Sequence, residues 1–193
     1  MPSAWIALSL LIAPAAGGAA CDADRASMLS LDETAFDQGD GGWRSLAKRE
    51  CYREAANLIR DYRQAHSLES QTISWMHEAQ MRAYAGDYAD AVLLLPKAKH
   101  KMDGHGWNAY LDATIAFLNR DRAALVEARN RLAGTPLPHT HQWLFDDKGQ
   151  AVDVPAPDPG DPWPPNLNIV DALIRCFDRP YSGAYGSQAC YSD

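Results

Sequence analysis

Histidines occur in two places where their spacing has to be compared with that of metal sites. His77 stands in a predicted helix, but the second histidine of a zinc-binding helix belongs four residues later, where this chain has Met81. His139 and His141 flank a threonine and precede Asp146, yet a convincing zinc site needs three or four ligands. Histidines in a proline-rich loop are more typical of solvated or packing residues. The sequence therefore predicts no metal ion and no other cofactor.

Motifs for covalent or phosphate chemistry are not found in the sequence. It has no Gly-rich phosphate loop, and no serine or cysteine lies in a recognisable catalytic motif. Catalytic partners can lie far apart along a chain, so an enzyme is less expected without being excluded. We predict a binding function. The alternative is a small exported enzyme of the cell-wall or envelope hydrolase type, with an active site assembled only in the fold.

Arg82, Trp75, Trp107 and Trp163 are the candidate binding residues. Tryptophan and arginine are favoured as the anchors of protein interfaces, so the expected partner is a protein or a peptide. Arg82 occupies a position where a predicted helix packs, so it either pairs with a carboxylate or lines a groove. Core packing is the competing interpretation of Trp75 and Trp107.

Four cysteines, Cys21, Cys51, Cys176 and Cys190, are expected to form two disulfides. An even number of cysteines in an exported chain indicates a disulfide framework, and four cysteines allow three connectivities. We favour Cys21 with Cys51 and Cys176 with Cys190, because Pro180 and two glycines let the short second loop turn back. In the alternative, Cys21 carries a lipid and Cys51 has no partner.

Residues 1–20, MPSAWIALSLLIAPAAGGAA, carry no charged side chain. An apolar run followed by small residues is typical of a secretory signal, here with cleavage before Cys21. A membrane-spanning helix needs about 20 continuous apolar residues, and Pro14 interrupts the run too early. Lipoprotein signals also end in small residues before a cysteine, but Gly18 stands where they usually have leucine. We predict a periplasmic or secreted protein, with a membrane anchor only if Cys21 is lipidated.

Length and charge narrow the choice of fold and partner. The chain has 193 residues and a formal net charge of −7, and its mature part is long enough for one domain with a sizeable core. Residues 21–134 carry 15 basic and 17 acidic side chains, whereas residues 135–193 carry 3 and 8. Nucleic-acid binding needs a basic face. Nucleic acid is therefore not an expected partner.

Three segments of similar sequence recur in the middle of the chain. They are CYREAANLI from Cys51, DYADAVLLL from Asp87 and DRAALVEAR from Asp121, at offsets of 36 and 34 residues. Tryptophans recur independently at positions 43, 75 and 107. Apolar residues in the first two segments fall at helical spacing. The pattern predicts an all-α protein built from successive helical hairpins.

At these residues the chain resembles the tetratricopeptide-repeat family. Its middle unit places Trp75, Ala79, Ala91, Leu95 and Ala98 at the family's packing positions. The resemblance covers roughly residues 42–134. It implies a short right-handed α-α solenoid of about three hairpins, with a concave face for a partner and the leading tryptophans packed in the core.

The chain departs from the family pattern at three positions. Glu78 and Arg82 stand where leucine and tyrosine are usual, and Pro96 should kink or end its helix. The alternative to a solenoid is an all-α bundle whose hairpins look alike by chance. Both interpretations predict antiparallel helix pairs joined by short turns.

The segment after Gly134 is rich in proline but also carries large apolar residues such as Trp163, which predicts an ordered strap on the helical body. WLFDDKGQAVDV is expected to form a small hairpin. A helix, LNIVDALIRCF, follows with Asn166 as its cap and Pro180 as its stop. The predicted organisation is a signal peptide at residues 1–20, a repeat region with an N-terminal cap at residues 21–134, and the strap and capping helix at residues 135–193 in the same globular unit.

Overall fold

A computed structural model of the protein describes residues 21–66, 68, 71–101, 103–138, 142–145, 151–154, 156–158 and 160–191. The predicted signal peptide at residues 1–20 lies outside these ranges. His139, His141 and Asp146, which were considered as metal ligands, also lie outside them.

The described chain is mainly helical, as the all-α prediction requires. Its helices are α1 (Arg25–Leu29), α2 (Glu33–Asp37), α3 (Trp43–Ala47), α4 (Tyr52–Ala65), α5 (Thr72–Tyr84), α6 (Tyr88–Leu94), α7 (Trp107–Leu118), α8 (Arg122–Ala133), α9 (Leu167–Arg175), α10 (Tyr181–Ala184) and α11 (Gln188–Tyr191). A 3₁₀ turn, Leu95–Ala98, continues α6. The strands β1 (Gln142–Phe145) and β2 (Ala151–Val154) lie between α8 and α9.

Aspartate caps, a glycine and a proline set several helix ends. The side chains of Asp24, Asp32 and Asp121 accept hydrogen bonds from backbone N–H groups in the first turns of α1, α2 and α8, which have no partner within the helix. Gly86 has a φ of +81° and lies between α5 and α6, where the left-handed conformation favours glycine. The predicted break at Pro96 is confirmed, because the regular helix ends before it.

The long helices pack against their neighbours along the chain. α4 packs against α5, α5 against α6, and α7 against α8, while α6 and the 3₁₀ turn contact α7. Residues 85–87 join α5 to α6, and residues 119–121 join α7 to α8. Connections this short place the two helices of a pair side by side in opposite directions. The hairpins therefore lie next to each other in chain order.

Two clusters of buried apolar side chains form the core. The larger cluster contains Leu111 and Phe117 of α7 and extends to the C-terminal helices. The smaller cluster joins α2, α3, α4 and α5 and includes Phe36 and Trp43. Tyr84 of α5 packs against both clusters. Since α5 contributes side chains to both clusters, it joins the two halves of the core. Burial of one large apolar side chain contributes about 1.5–3 kcal/mol.

The four cysteines form two disulfides. Cys21 is bonded to Cys51 and Cys176 to Cys190, each with an S–S distance of 2.02 Å. This is the pairing that the sequence favoured, and no cysteine is left free. Because the sulfur of Cys21 is bonded to Cys51, it has no thiol to carry a lipid. Structural disulfides are typical of an oxidising compartment.

The strap contains the predicted β-hairpin. β1 and β2 pair in antiparallel fashion, with Gln142 opposite Val154 and Phe145 opposite Ala151. The turn that joins the two strands lies outside the described residues. The pairing runs without a break over the four residues of each strand.

Helix α9 packs against α7 and α8, as expected of a capping helix. Two predicted details are wrong. Asn166 lies at the cap position in a left-handed conformation, with φ of +65°, and its side chain makes no capping hydrogen bond; asparagine tolerates that backbone region better than most residues. The helix also ends at Arg175, well before Pro180, because Cys176 leaves the helical conformation and is bonded to Cys190.

Candidate functional site

Trp75 and Arg82, two of the predicted binding residues, belong to one buried charged network. The centre of this network is Glu78, whose exposed fraction is 3% and whose carboxylate pairs with Arg63 and Arg82. The guanidinium of Arg63 also lies 3.4 Å from the centre of the Trp75 ring, and Arg82 donates to Asn57 Oδ1 at 2.9 Å. Arg82 therefore pairs with a carboxylate, which was one of the two roles expected of it.

The other two predicted binding residues hydrogen-bond to the backbone. The indole N–H of Trp107 donates to the carbonyl oxygen of Ala98 at 2.7 Å, and that of Trp163 donates to the carbonyl oxygen of Thr135 at 2.9 Å. Both rings are half-buried. Buried indole N–H groups normally find such a partner. In these positions the two tryptophans hold irregular segments against the helices, and no described contact links them to the network around Glu78.

The described residues form a groove at the N-terminal end of the fold. Its volume is about 1000 Å³. One wall is residues 32–39, which contain α2, and the rest comes from Ile59 and Tyr62 of α4 and from Leu68, Ile73 and Ser74. The sequence predicts an N-terminal cap in this region but not the groove. Most of the wall comes from one short helix, and the groove forms only where that helix packs against α4 and α5.

The floor of the groove is aromatic and firmly held. The rings of Phe36 and Tyr62 stack with their centres 3.7 Å apart, and the ring of His66 continues the stack at 4.1 Å from Tyr62. The Tyr62 hydroxyl donates to the carbonyl oxygen of Leu31 at 2.8 Å. Ile73 at the edge of the groove is 39% exposed. The groove therefore has a rigid floor and an open apolar edge.

An aspartate–histidine pair lies where the groove meets α5. Asp37 Oδ1 accepts hydrogen bonds from His77 Nδ1 at 2.7 Å and from the indole N–H of Trp43 at 3.0 Å. Burial raises the pKa of the Asp37 carboxyl, but the hydrogen bond and charge of His77, the indole N–H of Trp43 and the charge of Arg44 outweigh it, so the pKa is lowered. His77 is thus fixed against a carboxylate that stays ionised.

Two further carboxylates, Asp32 and Glu33, stand on the rim of the groove. Asp32 is exposed, and one of its oxygens caps α2 by accepting from the Ala35 N–H at 2.8 Å. Burial, followed by the charges of Glu33 and Asp32, raises the pKa of the Tyr62 hydroxyl. The negative charges of Asp32 and Glu33 at the rim therefore disfavour ionisation of the Tyr62 hydroxyl at the floor of the groove.

The face between α5 and α7 is covered by residues 181–191, which we term the tyrosine segment. The rings of Tyr181 and Tyr185 lie 5.2 and 5.8 Å from the ring of Tyr84 on α5, and the Tyr185 hydroxyl lies 3.4 Å from that of Tyr110 on α7. The Tyr181 N–H donates to the Tyr88 hydroxyl at 2.9 Å. Burial and the neighbouring phenols raise the pKa values of Tyr84, Tyr110 and Tyr181. The first helices of these two hairpins are thus covered by the chain itself.

No three histidine, cysteine, aspartate or glutamate side chains of the described residues are grouped closely enough to hold a metal ion, and none of the described helices has the length and apolar character needed to span a bilayer. Comparisons of the chain with family models, curated proteins and solved structures found no match.

Proposed function

We propose that this chain is an exported scaffold of tetratricopeptide-like helical hairpins that binds a protein or peptide partner outside the cytoplasm. Two disulfides support an oxidising compartment. The arrangement of α3 to α8 in chain order supports the repeat interpretation, since each hairpin covers the apolar flank of the next. In the proposed architecture these hairpins stack with a constant right-handed twist.

The groove carries the proposal that a partner binds. Its floor includes the stacked rings of Phe36 and Tyr62, so binding costs little ordering of these side chains. Its volume of about 1000 Å³ lies at the upper end of small-molecule pockets. An open trough of this size suits several side chains of an extended segment better than one enclosed small ligand. The proposed binding face is therefore the N-terminal groove, because the tyrosine segment covers the α5–α7 face.

The contacts of His77 support a structural role for the Asp37–His77 pair in the wall of the groove. A dyad of aspartate and histidine orients the ring of a general base, whose other nitrogen then acts on a hydroxyl, a thiol or water. The same pair also has a structural role, because it fixes α2 to α5 through Asp37. A partner-binding groove with a fixed wall explains the pair without a reaction.

Selection of binding peptides tests this function. A library of displayed extended peptides is selected on the full protein, and the enriched peptides are then measured against two variants. Ile73→Glu changes an exposed apolar residue at the groove, and Leu93→Glu makes the same kind of change at a residue that is 70% exposed on α6. We expect Ile73→Glu to abolish binding and Leu93→Glu to preserve it. Equal binding by both variants would refute the groove as the site.

A further inference from the structure

We propose that two copies of this protein associate through the outer edge of strand β1, so that their two hairpins form one four-stranded antiparallel sheet. The surface concerned is the hairpin of β1 (Gln142–Phe145) and β2 (Ala151–Val154). This interface does not involve the groove, so it goes beyond the proposed peptide-binding function and does not depend on it. The partner is a second copy of this chain.

The hairpin is carried on an arm of the strap. The indole N–H of Trp163 donates to the carbonyl oxygen of Thr135 at 2.9 Å, although the two residues are 28 positions apart. This bond brings the two ends of the strap together, so the hairpin between them leaves and rejoins the helices at one place. Neither strand has more than marginal backbone contact with any described helix. The hairpin is therefore held at its base and is not part of the helical packing.

A hairpin in this position lacks the contacts that normally stabilise one. Two strands alone are marginally stable in water, and a third strand or packing on a helix is needed. Within the described ranges, β1 and β2 pair with each other and with no other strand. Successive residues of a strand alternate between the two faces of the sheet, and apolar residues fall on both faces here. They are Trp143, Leu144 and Phe145 in β1 and Ala151, Val152 and Val154 in β2.

Strand β1 is the edge without protection against further pairing. Natural edge strands usually carry charged residues or a proline, which prevent another chain from pairing with them. β1 has the sequence QWLF and contains neither, whereas β2 has the sequence AVDV and contains Asp153. Two copies of β2 side by side would bring two aspartates into one small sheet, and like charges on neighbouring strands are destabilising. Two copies of β1 meet no such repulsion.

A second copy satisfies this edge by symmetry. Every second residue of β1 directs its N–H and C=O groups away from β2, and two antiparallel copies of β1 about a two-fold axis supply partners for each other. Leu137, two residues beyond Thr135 at the base of the arm, is 47% exposed and adds apolar area on the same arm. Strands of four residues cover less than the roughly 1,200–2,000 Å² of a stable interface. The dimer is therefore weak and forms at micromolar concentrations.

Sedimentation velocity on the full protein, with both disulfides formed, tests the proposal between about 5 and 500 µM. We expect a monomer–dimer equilibrium with a dissociation constant on the order of 10–100 µM. A monomer at every concentration would overturn the inference, and so would growth beyond the dimer, because a two-fold pairing of one edge closes on itself. Neither result would affect the groove, since peptide binding to the groove is measured separately.

Two matched lysine variants identify the edge. Leu144 and Val152 lie opposite each other in the hairpin, so Leu144→Lys and Val152→Lys remove the same cross-strand pair and add the same charge. Only Leu144→Lys places that charge on β1. We expect it to raise the dissociation constant of the dimer at least about ten-fold, and Val152→Lys to raise it less than about three-fold. Equal weakening by the two variants would contradict the choice of β1.

A third variant separates loss of the edge from loss of the hairpin. Trp143 lies opposite Asp153, so Trp143→Lys creates a cross-strand pair of opposite charges, which favours the hairpin. In the dimer the same change brings two lysines together on neighbouring copies of β1. We expect Trp143→Lys to be monomeric up to about 500 µM while its circular dichroism matches that of the wild type. Dimerisation at the wild-type concentration would show that β1 is not the interface.

Discussion

Replacement of Glu78 by glutamine is the sharpest test of how the middle of this protein is stabilised. Glu78 is the carboxylate shared by Arg63 and Arg82, and all three side chains are at least nine-tenths buried. Glutamine keeps the size of the side chain but removes the negative charge. Two guanidinium groups then remain buried with no anion between them.

The expected loss follows from the cost of an uncompensated buried charge. Breaking a buried ion pair by removing one partner costs about 3–5 kcal/mol. Domains of this size have a total free energy of unfolding of about 5–15 kcal/mol, so roughly a fifth or more of the stability is at risk. Each kcal/mol lowers the melting temperature by roughly 2–4 °C. We therefore expect Glu78→Gln to melt about 6–20 °C below the wild type.

Urea unfolding followed by far-ultraviolet circular dichroism measures this loss, and the chain offers a matched control. Glu127 and Arg131 have the same spacing as Glu78 and Arg82, but the Glu127 side chain is 75% exposed. Glu127→Gln should cost no more than about 0.5 kcal/mol. If Glu78→Gln unfolds within about 1 kcal/mol of the wild type with an unchanged urea dependence, the network does not stabilise the fold as argued.

Three further outcomes are expected. Gly106→Ala should destabilise the protein more than Gly86→Ala. Both glycines have positive φ, but a Cβ at Gly106 would lie 2.5 Å from a leucine methyl, whereas one at Gly86 meets nothing within 4 Å. Thermal melting should therefore show a loss of about 1–2 kcal/mol in the free energy of unfolding for Gly86→Ala and a larger loss for Gly106→Ala. Removing the Cys176–Cys190 disulfide, which closes a loop of 14 residues, should cost about 3 kcal/mol in urea unfolding. Asp37→Asn should lower the free energy of unfolding by about 1–2 kcal/mol near neutral pH. Because the pKa of Asp37 is lowered from 3.8, the stabilisation by its carboxylate is complete above pH 3.8 and is lost as the pH falls through the lowered pKa. The unfolding curves of the variant and the wild type should therefore converge in acid.

The sequence predicted those features of the fold that depend on short-range patterns. The helical spacing of apolar residues located α4 and α6. The pairing of the four cysteines followed from the short loop between Cys176 and Cys190. Pro96 marked a real helix end. The sequence missed α2, because five residues give too little periodicity to be recognised. It also assigned Asn166 a capping bond that its left-handed backbone does not make.

The groove could not be predicted from the sequence, for a different reason. The groove combines residues 32–39 with α4 and α5, so its members are separated by up to about forty residues and share no motif. The two unusual residues of the repeat pattern, Glu78 and Arg82, did carry a signal, but the signal was structural. Each deviates from the apolar pattern, and the two compensate each other in the core. An ion pair within one helix requires two residues of opposite charge on the same face, as at a spacing of four residues.

The position of the tyrosine segment also determines when this protein can finish folding. The hydrogen bond between the Tyr181 N–H and the Tyr88 hydroxyl joins residues 93 positions apart in the sequence. The aromatic faces of the middle hairpins therefore stay exposed until the last part of the chain has been synthesised and, in the proposed export, has crossed the membrane. Contacts between such distant residues slow folding, because the intervening chain must first close. During that interval the nascent protein exposes apolar surface that can aggregate. Early termination of synthesis would leave this surface permanently exposed.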